Sequence, residues 1–304
     1  MSQPRPRKPR FVRSDAFPPL ATTERDVRIL SLIERHRFAR SDHVRASVGG
    51  SCQHLTRRLG RLYHAGLLER PRAQLLIRNR PNAHFAYCIT VAGQSLLRER
   101  GLPIFASPPR ARGETMALSL SHSLRATDVM LALERSVLAS GATFLHHDQW
   151  RTDSEESTRL SHMRWSVTIR YDGKRVRCAV LPDGAFALDR AGKRSYFLVE
   201  VDRGTMPVSR GSPEQTSFRR KVLAYKATRD AGVLWRCHEI PGFRVLVLAE
   251  NLRRLSELRS AAASCFQRGD STMFCFAVTG QFISGRDEWL SCGGASVRPL
   301  APSP

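Results

Sequence analysis

A chain of 304 residues can build two domains with cores of their own, since single domains most often run to about 100–150 residues. Its 49 Lys and Arg against 27 Asp and Glu leave a net charge of +22 and a pI near 11.1, an excess that favours polyanionic partners, nucleic acid first, and carries no information about fold. Seven cysteines without a CxxC pair argue against a disulfide framework or a zinc site and for reduced thiols in a cytoplasmic protein.

The charge is concentrated at the front: residues 1–115 hold 22 Lys or Arg against 8 Asp or Glu, and nearly all of the basic residues are Arg, which grips phosphate with a bidentate fork. Residues 1–20 alternate Pro with Arg and are expected to be a disordered basic arm. The opening stretch lacks the apolar centre of a signal peptide, and no run approaches the roughly 20 apolar residues of a membrane span, so no membrane partner is expected.

From Thr22 the spacing turns helical, with Val27, Leu30 and Ile33 three apart behind a Thr cap. "SDHVRASV" predicts a short second helix from Ser41. After Gly49-Gly50, Ser51 caps a third helix ending at Gly66, whose Leu55, Leu59 and Leu62 form a buried stripe and leave Gln53, His54, Arg57, Arg58 and Arg61 on the other face. "LLERPRAQLLIRN" and "HFAYCIT" then predict a β-hairpin turning at Arg80-Pro81-Asn82, with Arg78 and Arg80 at its basic tip, and "ITVAGQSLLRERG" returns to helix. Three helices followed by a hairpin make a winged helix-turn-helix over residues 21–102, in which the third helix enters the major groove of DNA and the hairpin leans on its backbone.

The Pro-rich stretch 103–113 reads as a linker, residues 114–290 as a second domain and residues 291–304 as a disordered tail. The second domain is expected to run from a helix over Thr115 to Ser140 through the strand "TFLHHDQW", an acidic loop, a strand pair over 176–202, a helix over Pro213 to Arg229, "FRVLVLAE", a helix over Leu252 to Ala263 and "MFCFAVTG". That order is αβββαβαβ, a mixed sheet covered by helices, and the fold class is α+β. His146-His147-Asp148 is the local histidine cluster, but neighbours on a strand point to opposite faces, which argues against a shared metal.

The hairpin "VLPDGAFALDRAGKRSYFLVEVDRGT" gathers acid at its open end. A turn centred on Gly192 sets Asp183 opposite Val201, between Glu200 and Asp202, and a shift of half a residue sets it opposite Glu200 or Asp202. In either register three carboxyl groups converge, an arrangement that a hard divalent cation such as Mg²⁺ would stabilise or that nearby cations would neutralise. On the following helix Phe218, Val222 and Tyr225 form the buried face, and Lys221 stands near enough to its edge to reach the sheet; Arg203 is a second cation at hand.

Asp183 after a Pro, acids at the end of the next strand and a nearby Lys resemble the PD-(D/E)xK nuclease fold, a restriction-endonuclease-like architecture. That motif carries Lys two residues after the position of Glu200, where this chain has Asp202, so the resemblance assigns the role to Lys221. The wider layout is similar to the replication-relaxation family of plasmid and mobile-element proteins, through "ITVAGQSLL", "LSHSLRATDV" and "PDGAFAL…YFLVEVDRGT…KVLAY". The resemblance implies DNA binding in plasmid or mobile-element replication or transfer. Two readings of the second domain stand side by side: a nuclease-like module that binds DNA or a partner without chemistry, or a Mg²⁺-dependent endonuclease or nickase with Asp183, Glu200 and Asp202 on the metal and Lys221 at the transition state.

Overall fold

The computed structural model describes residues 10–14, 17–77, 84–104, 113–149, 163–212 and 214–301. The chain is of mixed α+β type and divides into two units, 1–127 and 128–304, with the boundary inside one long helix.

The first unit opens with α1 (Glu24–His36), where the Thr23 backbone N–H and hydroxyl both donate to Asp26 in the first turn. Strand β1 (Ala39–Arg40), α2 (Ser41–Val48) and α3 (Cys52–His64) follow, and Gly49 and Gly50, both at positive φ, end α2 where Ser51 caps α3. Leu55, Leu59 and Leu62 are buried, as the i, i+4, i+7 spacing requires, against Ile29, Leu30 and Ile33 of α1. Among the described residues of the expected first hairpin strand only Leu68–Glu69 (β2) forms a strand; Arg72–Leu76 forms a 3-10 turn, in which Gln74 is drawn inward to exchange hydrogen bonds with the backbone of Ala86, and the expected turn at residues 80–82 lies outside the described residues. Strand β3 (Ala86–Ile89) lies between β1 and β2, antiparallel to both, and leads into α4 (Val91–Glu99).

The N-terminal arm departs from expectation where it is described. Arg13 donates to the carbonyls of Tyr63 and Leu68 and to the Glu69 carboxylate, Phe17 stacks on His64, and Phe11 meets Phe85 edge-on. Aromatic and cationic anchors thus hold Phe11, Arg13 and Phe17 to the end of α3, to β2 and to Phe85, against the tendency of Pro and Arg to stay solvated.

Helix α5 (Gly113–Ala139) runs into the second unit, which continues with β4 (Thr143–His146), β5 (Trp165–Tyr171), β6 (Lys174–Val180), β7 (Gly184–Arg190), β8 (Lys193–Val201), α6 (Phe218–Asp230), α7 (Val233–His238), β9 (Phe243–Ala249), α8 (Leu252–Ala263), β10 (Phe274–Val278), α9 (Thr279–Ile283), β11 (Trp289–Leu290) and β12 (Ser296–Val297). A seven-stranded sheet takes the order β12-β11-β10-β9-β8-β7-β4, parallel across β8, β9 and β10 and antiparallel elsewhere. Strands β5 and β6 form a separate two-stranded ribbon, so the expected strand pair is a ribbon followed by a sheet hairpin. The expected tail after residue 290 carries β12 and buries Cys292 and Leu300, which extends the sheet edge.

One face of the sheet presents Leu198, Val245, Val247, Phe274 and Phe276 to α6, where Phe218 and Tyr225 meet the phenylalanines edge to face. On the other face Phe144, Phe186 and Phe197 stack with centroids 4.6 and 4.9 Å apart. Gly184 allows α5 to approach β7 closely: a Cβ there would stand 2.4 Å from the Met130 sulfur.

Candidate functional site

Two surfaces gather the residues singled out from sequence. On α3, Gln53, His54, Arg57 and Arg61 are exposed. Arg58 is not part of that face: its guanidinium forms a two-pronged pair with the fully buried Asp26 and also donates to the Ala21 carbonyl. Burial pushes the Asp26 carboxyl up, and donation from Arg58 and Thr23 overcomes it, leaving a value below the ordinary 3.8. The arginine is the tie between α1 and α3. Arg78 and Arg80 fall outside the described residues.

The second surface lies at the open end of the β7–β8 hairpin. Ala191 and Gly192 both take left-handed backbone, giving a two-residue turn that pairs Arg190 with Lys193 and Gly184 with Val199. The ladder is therefore shifted by one residue from a turn centred on Gly192, and Asp183 comes opposite Glu200, the first of the two shifted registers. The Asp183 N–H donates to the Val199 carbonyl at 2.9 Å, and its carboxylate accepts from the Val201 N–H at 2.8 Å.

Glu200 shares its face of β8 with Leu198, toward α6, and is 5% exposed. Lys221 Nζ donates to Oε2 at 2.5 Å and the Tyr225 hydroxyl to Oε1 at 2.5 Å. Burial pushes the Glu200 carboxyl up, opposed by the Lys221 charge, while Asp183 adds to the rise. Burial alone would lower the Lys221 amine, but Glu200 and Asp183 hold it above its ordinary value, and burial beside Glu200 drives the Tyr225 phenol well up.

Asp202 does not join this pair. Its backbone N–H continues the β8–β9 ladder by donating to Leu248, and both carboxylate oxygens accept from Arg254, at 2.7 Å from Nε and 3.0 Å from a terminal nitrogen. Gly204 N–H donates to it as well, at 2.9 Å. The oxygens of Glu200 and Asp202 are thus occupied by Lys221, Tyr225 and Arg254. Among the described residues no group of three or more His, Cys, Asp or Glu that could hold a metal ion is found, and Asp202, expected as the third carboxylate, is turned to Arg254.

Sequence reasoning missed Arg254 and the role of the Tyr225 hydroxyl. The signal for Arg254 was the parallel pairing itself: β8 and β9 end side by side, so the first turn of α8, capped by Asn251, falls over the end of β8. Beside Glu200 and Lys221 opens a cavity of about 190 Å³, also lined by Cys178, Ser217 and Arg220.

A family model described as replication-relaxation matches residues 30–241, a stretch that takes in α3, the acidic hairpin and α6. The chain belongs to the replication-relaxation family. No curated protein and no solved structure matches it. Among the described residues of this replication-relaxation protein, no helix is long and apolar enough to cross a membrane.

Proposed function

We propose that this replication-relaxation protein binds DNA in the replication or transfer of a plasmid or mobile element, through a winged helix-turn-helix in its first unit, and that its second unit is a PD-(D/E)xK-like module without catalytic activity. The observation that carries the DNA-binding reading is the division of labour on α3. Its leucines are buried, Arg58 is spent on Asp26, and Gln53, His54, Arg57 and Arg61 remain in water on one element, as a recognition helix requires. The strand order β1-β3-β2 beside the three helices supports the winged form.

The non-catalytic reading of the second unit rests on neutralisation: a carboxylate paired with Lys221 and Tyr225, and another paired with Arg254, have both oxygens engaged and their charge opposed. One observation favours a second reading, an active Mg²⁺-dependent endonuclease. Glu200 and Lys221 line a cavity, with the Asp183 charge close enough to act on both, and carboxylates released from their cations could take up metal there.

Incubating the protein with supercoiled plasmid, with and without Mg²⁺ or Mn²⁺, tests both. The proposed reading expects retarded but uncut plasmid. Metal-dependent nicking that disappears in Asp183→Ala would replace it with the nuclease, and failure to bind duplex DNA at low salt would overturn DNA binding.

A further inference from the structure

The β5–β6 ribbon has one face in the core and one in water. Trp165, Val167, Ile169 and Tyr171 alternate inward against α6, and the Trp165 indole N–H donates to Thr228 at 2.8 Å. Tyr171 is fixed by its hydroxyl on the Arg210 carbonyl and by the Arg219 guanidinium over its ring. The register of the ribbon, and hence the composition of its outer face, is set by this inner packing.

That outer face is strongly basic. Arg170 on β5 stands directly opposite Arg175 on β6, and Thr168 opposite Arg177; all four are exposed, as are Ser166 and Arg164 on the same side. Between residues 164 and 180 the sequence carries one acid, Asp172, and it sits in the turn, paired with Arg219 at 3.0 Å. Like charges placed directly across two strands oppose strand pairing, so an arginine facing an arginine is the reverse of what a ribbon built for stability alone would carry. Guanidinium groups interleaved with hydroxyls match a row of phosphate oxygens, which accept from Arg, Ser and Thr alike.

We infer that the outer face of the β5–β6 ribbon is a second DNA-contacting surface, one that lies along the phosphate backbone and acts independently of α3. Antiparallel two-stranded ribbons are of a size to lie against or within a DNA groove. With no aromatic residue and no Asn or Gln on this face, its contribution is phosphate positioning without base readout. A protein with two such surfaces on separate units can hold DNA at two places, which raises retention through effective concentration.

The test uses the full chain and a fluorescently labelled duplex, with affinity measured by anisotropy over a salt series. The variant Arg170→Ser/Arg175→Ser/Arg177→Ser should lower the slope of log affinity against log salt by about 0.9 for each arginine that touches a phosphate. The same decrement should appear in an Arg57→Ala/Arg61→Ala background, so the ribbon is scored whether or not α3 is the recognition helix. Arg175→Gln alone, which removes the facing like charge, should lower the slope by one contact while leaving the melting temperature equal or higher. An unchanged slope in folded variants overturns the inference. So does a fall in melting temperature with the slope unchanged, which would place the ribbon's partner within the chain, or a loss of binding to anionic vesicles in place of DNA.

Discussion

Lys221 and Tyr225 stand one turn apart on α6 and close the two oxygens of the same carboxylate, Glu200, each at 2.5 Å. A buried acid at the edge of a sheet is thereby held by a cation and a phenol from a single helix. The Lys221 side chain remains 29% exposed and that of Glu200 7%, so the pair is neither a surface ion pair nor a fully dry one.

The raised Lys221 value gives the first prediction. Because the amine binds its proton more tightly when folded than its ordinary 10.5, the stability contributed by the pair is complete below that pH and is lost as pH rises through the folded value. Melting temperatures followed from neutral into strongly alkaline solution should fall more steeply in the wild type than in Lys221→Met. Parallel curves would mean that Lys221 makes no folded-state linkage.

Arginines on α3 should separate into two classes. Arg58→Ala leaves the buried Asp26 without its cation and should cost about 3 kcal/mol in denaturant unfolding. Arg57→Ala/Arg61→Ala should leave stability within about 0.5 kcal/mol, because both side chains are exposed, and should weaken DNA binding instead. The Asp26 carboxyl is held below its ordinary 3.8, so the stability it contributes is present above that pH and is lost as pH falls through the folded value; Asp26→Asn should flatten the acid limb of the unfolding curve.

These contrasts mark what the sequence could and could not reveal. Helices α2, α3 and α8 lie close to where caps and apolar spacing put them, because Ser51 and Asn251 act on neighbours three residues away. The partner of Arg58 lies 32 residues distant on another helix, and nothing local distinguishes it from Arg57. The same limit applies to Arg13, which binds across 50 residues or more, and to Asp202, whose partner Arg254 becomes a neighbour only through parallel pairing of β8 with β9. Asp183, Glu200 and Lys221 were legible as a group because one hairpin and one helix face define them; the register within the group depended on the backbone of Ala191.

That backbone leads to a third prediction. Ala191 sits at φ 51° in the left-handed region, where an L-residue with a Cβ is held at a cost of about 1–2 kcal/mol and where two-residue turns favour Asn-Gly. Ala191→Asn should raise the melting temperature without altering DNA binding. A lower melting temperature would show that the Ala191 methyl makes a contact worth more than the backbone strain.

Arg254 is 11% exposed and Asp202 8% in their side chains, and their two-pronged pair ties the start of α8 to the end of β8. Asp202→Asn keeps the size but removes the charge, leaving Arg254 with Glu257 at 3.3 Å as its remaining carboxylate partner, and should cost about 1–2 kcal/mol. If the side chain served a metal instead, the same substitution would relieve repulsion and the metal-free protein would gain stability.

Metal response is the prediction that bears hardest on the second unit. Anything that binds the folded chain alone stabilises it by RT ln(1 + [L]/Kd), about 2.7 kcal/mol at a hundredfold excess over Kd. A site whose carboxylates are already neutralised by Lys221 and Arg254 has little to gain from Mg²⁺ or Mn²⁺, so the melting temperature of the wild type should not move with either ion. Glu200→Gln should then destabilise the protein, by about 2 kcal/mol given that water still reaches the Lys221 amine and that the Asp183 charge remains nearby, because it removes the carboxylate that the amine is hydrogen-bonded to. Lys221→Met separates the cases further: with the cation gone, the repulsion between the Glu200 and Asp183 charges is no longer offset by the amine, and this variant, unlike the wild type, should be stabilised by Mg²⁺. A metal-dependent rise in the wild type that Glu200→Gln abolishes would mean that the ion displaces Lys221, and the second unit would then hold a metal at Glu200.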